Sequence, residues 1–314
     1  MSLQLSELGS MTSAEKSDLL ALLLESNAQQ PAEKPAQSPV SDLRFELLGP
    51  LVISYRGVDI APSAPKLRAI LVTLLLNANR AVSASELLGE VWDDTPPRSA
   101  AATLQTYIFK LRGLFRTHLG LSVQYVNNKL LLTYAGGYIL RVEPDQLDIV
   151  EFERLVDDGG AALREGSPEL AADGLHRALR LWRGTSIHCG HRGTRTRAQI
   201  VRLEERRFYA QMMRVEADMC LGGHREMVSE AASLAVENPL HESAHALLMV
   251  ALHRSGRTSA ALDVFRDLRR RMMNELGIEP SQRLQALHMA MLSAAPVLGD
   301  RRLTSEMLLD LITS

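Results

Sequence analysis

Thr103, Thr106 and Lys110 stand at i, i+3 and i+7 in one stretch of the 314-residue chain, and Gln105, Phe109 and Arg112 stand at similar spacing beside them. On a helix each trio forms one ridge. Hydroxyl, amide and ammonium groups on such a ridge can reach the edges of base pairs, and an exposed aromatic ring can touch a thymine methyl. The chemistry such a ridge would serve is readout of double-stranded DNA through the major groove. The base-reading candidates are Thr103, Thr106 and Lys110, flanked by Gln105 and Phe109. Candidates for phosphate are Arg98, Arg112 and Arg116 in the same stretch and Lys66 and Arg68 upstream, which would fix position rather than sequence. Thr133 and Tyr134 add hydrogen-bonding groups further on.

These side chains need a helix anchored on its opposite face. Leu104, Ile108, Leu111 and Phe115 recur at i, i+4, i+7 and i+11, which predicts a helix from about Arg98 to Arg116 with a single core stripe. The stretch carries four basic residues and no acidic one. Ahead of it, Pro65 opens a helix to about Asn77, with Leu67, Ile70, Leu71, Leu74 and Leu75 on one face. Ser83 and Glu86 form a capping-box pattern that starts a second helix, burying Leu87, Leu88, Val91 and Trp92. Asp93 to Pro97 breaks it. Phe45 to Ile60 reads as short strands around an Arg56-Gly57 turn. After the third helix come Val123–Val126 and then a hairpin, Lys129–Tyr134 and Tyr138–Val142, turning at Ala135-Gly136-Gly137. Sheet, three helices and hairpin make a winged helix-turn-helix over residues 43–142. Its wing offers no cation between Lys129 and Arg141, so it should contribute hydrogen bonds more than charge.

Charge is distributed accordingly. Net charge is −2, yet residues 43–142 hold 11 Lys and Arg against 6 Asp and Glu, whereas residues 1–42 hold 2 against 6. A basic module inside an acidic chain is the footprint of a polyanion-binding domain. Residues 1–42 read as a short helix over 12–25 and a mobile Pro/Gln/Ala linker over 27–39. Glu143-Pro144-Asp145 is a short hinge, and residues 145–293 read as helices. Breaks are expected at Gly159-Gly160, Gly166–Pro168, Gly184–Gly193, Gly222-Gly223, Pro239, Gly256 and Gly277–Pro280. The core should use Leu234, Leu247, Leu248, Val250, Leu252, Val264, Leu268 and Met272. Residues 294–314 form a tail with one short amphipathic helix over 303–312. The fold class is mainly α with a small β component: an N-terminal winged helix-turn-helix followed by an all-helical tetratricopeptide-like domain. Gly222 and Gly256 lie 34 residues apart, the period of that repeat.

These segments resemble the Streptomyces antibiotic regulatory protein family. The resemblance rests on FELLGPL (Phe45–Leu51), PKLRAIL (Pro65–Leu71), LLGEVWDD (Leu87–Asp94), PPRSAAATLQTYIFKLR (Pro96–Arg112) and GGYILRV (Gly136–Val142). It continues through LDIVEFERLV (Leu147–Val156), ALRLWRG (Ala178–Gly184) and GIEPS (Gly277–Ser281). It implies a bacterial transcriptional activation domain in the helical half and an activator of antibiotic or other secondary-metabolite gene clusters. It further implies binding to direct repeats near the promoter −35 region, often by paired protomers, and contact with RNA polymerase and its sigma factor. Asp93, Asp94 and Thr95 would be candidate polymerase contacts. The chain departs from the family at the wing tip, where Tyr134-Ala135 replaces an Arg-Pro, and over Thr185–Arg197. Activation as opposed to repression comes from the resemblance alone.

Other classes find less support. Hydrophobic residues at 46% and charged residues at 23% suit a globular protein. No run is long enough to span a membrane, the N-terminus lacks a basic leader, and two free cysteines suit a reducing cytoplasm, so a cytoplasmic, nucleoid-associated protein is expected. His188, Cys189 and His191 invite a metal site, but no fourth ligand has the right spacing. There is no P-loop, GxGxxG, HExxH or GxSxG pattern, so neither an enzyme nor a cofactor is expected. The remaining alternative is a tetratricopeptide-like interaction scaffold with residual DNA binding. The acid-free third helix argues against it.

Overall fold

Leu43, Phe45 and Ile53 are fully buried and alternate with wetter neighbours, the period-two pattern of a half-buried sheet. They sit in β1 (Leu43–Glu46) and β2 (Val52–Tyr55), which pair antiparallel, with β3 (Val58–Asp59) on the far edge of β2. Arg56 and Gly57 both take positive φ, 48° and 80°, as a tight two-residue hairpin turn requires. The computed structural model describes residues 40–92, 96–184, 187, 193–300, 303, 304 and 310. The expected helix at 12–25, the linker at 27–39, Asp93–Thr95, His188, Cys189, His191 and all but three residues of the tail helix lie outside them.

Helix α1 (Pro65–Leu76) begins at a proline, which loses nothing by lacking an N–H there. Its seven consecutive residues Ala69–Leu75 are buried, so it runs through the interior and not along the surface. Strand β4 (Val82–Ser83) leads into α2 (Ala84–Trp92) through the expected capping box: Glu86 N–H donates to Ser83 Oγ at 3.1 Å, and Ser83 N–H to Glu86 Oε2 at 2.8 Å. Helix α3 (Ala100–Leu119) buries Leu104, Ile108, Leu111 and Phe115, and Phe115 meets Phe45 edge to face at 6.4 Å. Strands β5 (Leu131–Tyr134) and β6 (Gly137–Leu140) form the hairpin, and β4 pairs with β6.

Lys129 and Leu130 do not belong to that hairpin. Ser122 Oγ caps a helical turn, α4 (Val123–Tyr125), which runs into a π-helical turn over Val126–Leu130. The hydroxyl cap overrides the strand preference of Val123, Tyr125 and Val126.

The expected hinge at residues 143–145 is a fastened junction. Glu143 and Gln146 close a capping box over a 3-10 turn, Pro144–Gln146, and Asn79 exchanges two hydrogen bonds with the Val142 backbone. Beyond it lie α5 (Asp148–Arg164), α6 (Pro168–Arg180), α7 (Thr194–Cys220), α8 (His224–Glu237), α9 (Glu242–Arg254), α10 (Thr258–Glu275) and α11 (Gln282–Leu292). Helix α5 passes unbroken through Gly159-Gly160, where a break was expected. A Cβ on Gly159 would lie 2.7 Å from Leu175 Cγ, so the glycine serves close helix packing instead of chain reversal. The other expected breaks separate successive helices. All eight expected core residues are buried except Val264, which is half-buried.

The 34-residue offset holds in three dimensions. Gly222 N–H donates to Met219 O and Gly223 N–H to Asp218 O; 34 residues on, Gly256 N–H donates to His253 O and Arg257 N–H to Leu252 O. Both first glycines have positive φ, the same helix-ending motif used twice.

Two carboxylates tie the halves together. Asp148, at the start of α5, accepts from the Leu47 and Leu48 amides at 2.8–2.9 Å. Glu90 of α2, only 5% exposed, accepts from the Arg195 and Thr196 amides at the start of α7, at 3.0–3.3 Å. An anion at a helix N-terminus meets both open amides and the positive end of the dipole. Thr73 and Thr196 join hydroxyls beside it at 3.1 Å, and Arg183 bridges to Glu46 and to the Pro50 carbonyl.

Candidate nucleic-acid interface

The face of α3 opposite its core stripe is exposed at Gln105, Thr106, Phe109, Lys110 and Arg116, and Thr103 is half-buried. Thr103 and Thr106 donate their hydroxyl protons to the Ser99 and Ala102 carbonyls, at 2.9 and 3.1 Å. Their oxygens keep lone pairs able to accept, as from the amino groups of adenine or cytosine, while Lys110 offers donors suited to guanine. Phe109 is 72% exposed, a large apolar ring with no core to fill.

The expected phosphate ligands divide into two groups. Arg98 and Arg116 are exposed. Arg112, Lys66 and Arg68 have work inside the protein. Arg112 donates from Nε and Nη2 to the Leu131 carbonyl at 3.0 and 2.8 Å and from Nη2 to Thr133 Oγ1 at 2.9 Å. Burial lowers its pKa from the ordinary arginine value, opposed by Tyr138. Arg112 is thus a strut that holds the wing against α3, and Thr133 is its acceptor. Arg68 donates to the Leu51 carbonyl at 3.0 Å and holds the first sheet on α1. The Lys66 ammonium lies 4.7 Å from the Trp92 ring centre, and Trp92 stacks on Tyr107 of α3 at 6.2 Å. That column braces α1, α2 and α3 at one end. At the wing end Tyr134 is 60% exposed and pairs with Gly137 across a turn whose Ala135 and Gly136 take positive φ.

The sequence reading missed Tyr107, Glu90 and the α4 segment. Between Thr95 and Val142 there is no acidic residue, against six Lys and Arg. That run, longer than the third helix alone, was the available signal for α4: Gln124, Asn128 and Lys129 are exposed on it.

Comparison with known proteins places this geometry. Residues 61–134 match the family model of the transcriptional regulatory protein, C terminal, and residues 147–292 that of the bacterial transcriptional activator domain. The regulatory protein DnrI of Streptomyces peucetius is 41% identical over 254 residues, covering 81% of this chain and 93% of that protein. The transcriptional regulator RedD of Streptomyces coelicolor is 34% identical, over 82% of this chain and 72% of its own length. Among solved structures, that of Mycobacterium tuberculosis EmbR in complex with a low-affinity phosphopeptide superposes with a TM-score of 0.77 at 28% identity, over 87% of this chain and 69% of that one.

Proposed function

Because the chain belongs to the Streptomyces antibiotic regulatory protein family of DNA-binding transcriptional regulators, we propose that it activates a secondary-metabolite gene cluster, with α3 in the major groove of promoter DNA. Thr103, Thr106 and Lys110 read bases, with Gln105 and Phe109 beside them. Arg98 and Arg116 set position on phosphate, and Tyr134 reaches the backbone from the wing. Paired protomers occupy direct repeats near the −35 region. The segment Asp93–Thr95 and the helical half meet RNA polymerase and its sigma factor. The observation that carries this reading is α3 itself: one face locked in the core, the other acid-free, with two acceptors and one donor on a single ridge.

The test is fluorescence anisotropy with promoter duplex from the neighbouring gene cluster, titrated against salt, for the wild type and Lys110→Ala. Specific binding that weakens steeply with salt is expected. Loss of discrimination in the variant, about 1–3 kcal/mol at one position, places Lys110 on a base; uniform weakening with a shallower salt slope places it on phosphate. No preference over random duplex at any salt overturns the proposal.

A further inference from the structure

Beside the base-reading ridge, α3 and the α4 segment enclose an open slot. One wall is Phe109, Gly113 and Arg116, at i, i+4 and i+7; the other is Val123 of α4 with Asn127 and the buried Val126 of the π-helical turn that follows; Lys110 also lines the slot. The lining is mostly apolar, yet every charged group on it is a cation. Phe109 and Val123 are 72% and 52% exposed, so the slot presents apolar surface to solvent. Above Gly113 the space is empty: a Cβ there would meet nothing within 4 Å.

From this geometry we infer that the slot seats the sugar–phosphate backbone of one DNA strand, so that α4 is a second DNA-contact element flanking the recognition helix. The inference rests on the DNA-binding reading above and extends it to residues outside α3 and the wing. A DNA strand presents alternating chemistry: deoxyribose rings with apolar faces, and phosphates carrying full charge. The slot presents the complement. Phe109 and Val123 offer apolar surface for the sugar, and Arg116 offers a cation for the adjoining phosphate. Asn127 lines the slot with a carboxamide able to donate to phosphate oxygen. Charge complementarity selects this occupant, because the whole run from Thr95 to Val142 lacks an acidic residue.

Two variants of the full chain test it. Gly113→Leu fills the slot without changing charge, and replacing a mid-helix glycine over open space favours the helix. Val123→Glu places an anion on an exposed wall. The readouts are anisotropy on the wild-type promoter duplex and hydroxyl-radical footprinting, which reports burial of individual deoxyriboses. Each variant is expected to keep the wild-type melting temperature and to lose at least tenfold in affinity. Each should also lose protection at two or three consecutive sugars while keeping the protections that Lys110→Ala removes. Wild-type affinity and an unchanged footprint in both variants overturn the slot but leave the DNA reading intact. Failure of the wild type to bind any duplex overturns both.

Discussion

Asp148 accepts backbone hydrogen bonds that favour its charged form, but burial outweighs them and pushes its carboxyl up to about 6. Arg183, beyond α6, pulls the value down, and Glu46 of β1 pushes it up. In an unfolded chain the same group titrates near 4. The folded state therefore binds the proton more tightly, and this residue contributes stability that grows as pH falls from 6 towards 4 and is lost as pH rises through 6. Asp148→Asn removes the titration. Chemical denaturation of both proteins across that window should show the wild type gaining on the variant as pH falls, by up to about 1.4 kcal/mol per pH unit. Parallel curves would show that Asp148 keeps an ordinary carboxylate pKa in the fold.

Helix α5 makes the clearest element-scale prediction, because its adjacent glycines face different neighbours. A methyl on Gly159 runs into the branched centre of Leu175 at 2.7 Å, whereas one on Gly160 meets the flexible end of Met213 at 3.4 Å. Gly159→Ala should cost about 1–3 kcal/mol through overpacking. Gly160→Ala should be neutral or stabilise by up to about 1 kcal/mol, the helix propensity gained. Thermal melts of the two variants decide it; equal effects would sink the packing account. The pair also marks what can be read from sequence. The stripe Leu104, Ile108, Leu111 and Phe115 and the Ser83–Glu86 box are legible because their partners lie within one or two helical turns. Gly159 is ambiguous because a glycine pair reads equally as a breaker or as a packing notch, and Leu175 decides between them. The wing strut was illegible for the same reason: Arg112 looks like any phosphate-binding cation until Leu131 and Thr133 fold back onto it. Of the ridge formed by Thr103, Thr106 and Lys110, the placement away from the core stripe was legible; the bonds of its threonine hydroxyls to the Ser99 and Ala102 carbonyls were not.

Across the whole molecule, the most consequential contacts join residues about a hundred positions apart. Glu90 holds the start of α7, Asp148 holds the turn after β1, and Gly193 is confined because a Cβ would sit 2.6 Å from Glu90 Cδ. Removing the Glu90 carboxylate leaves the buried Thr196 amide unpaired, at about 1–3 kcal/mol. Glu90→Ala should therefore lower the melting temperature and broaden the distance distribution between spin labels placed on α3 and α10. A variant that melts lower with an unchanged distribution would show that Glu90 stabilises without orienting. With the junction intact, the DNA-reading face and the helical stack turn as one body about the duplex. B-DNA completes a turn in about 10–10.5 base pairs, so five base pairs inserted between operator and promoter would carry the stack to the far side of the helix. Ten would bring it back, leaving the chain a gauge of rotational phase as much as of sequence.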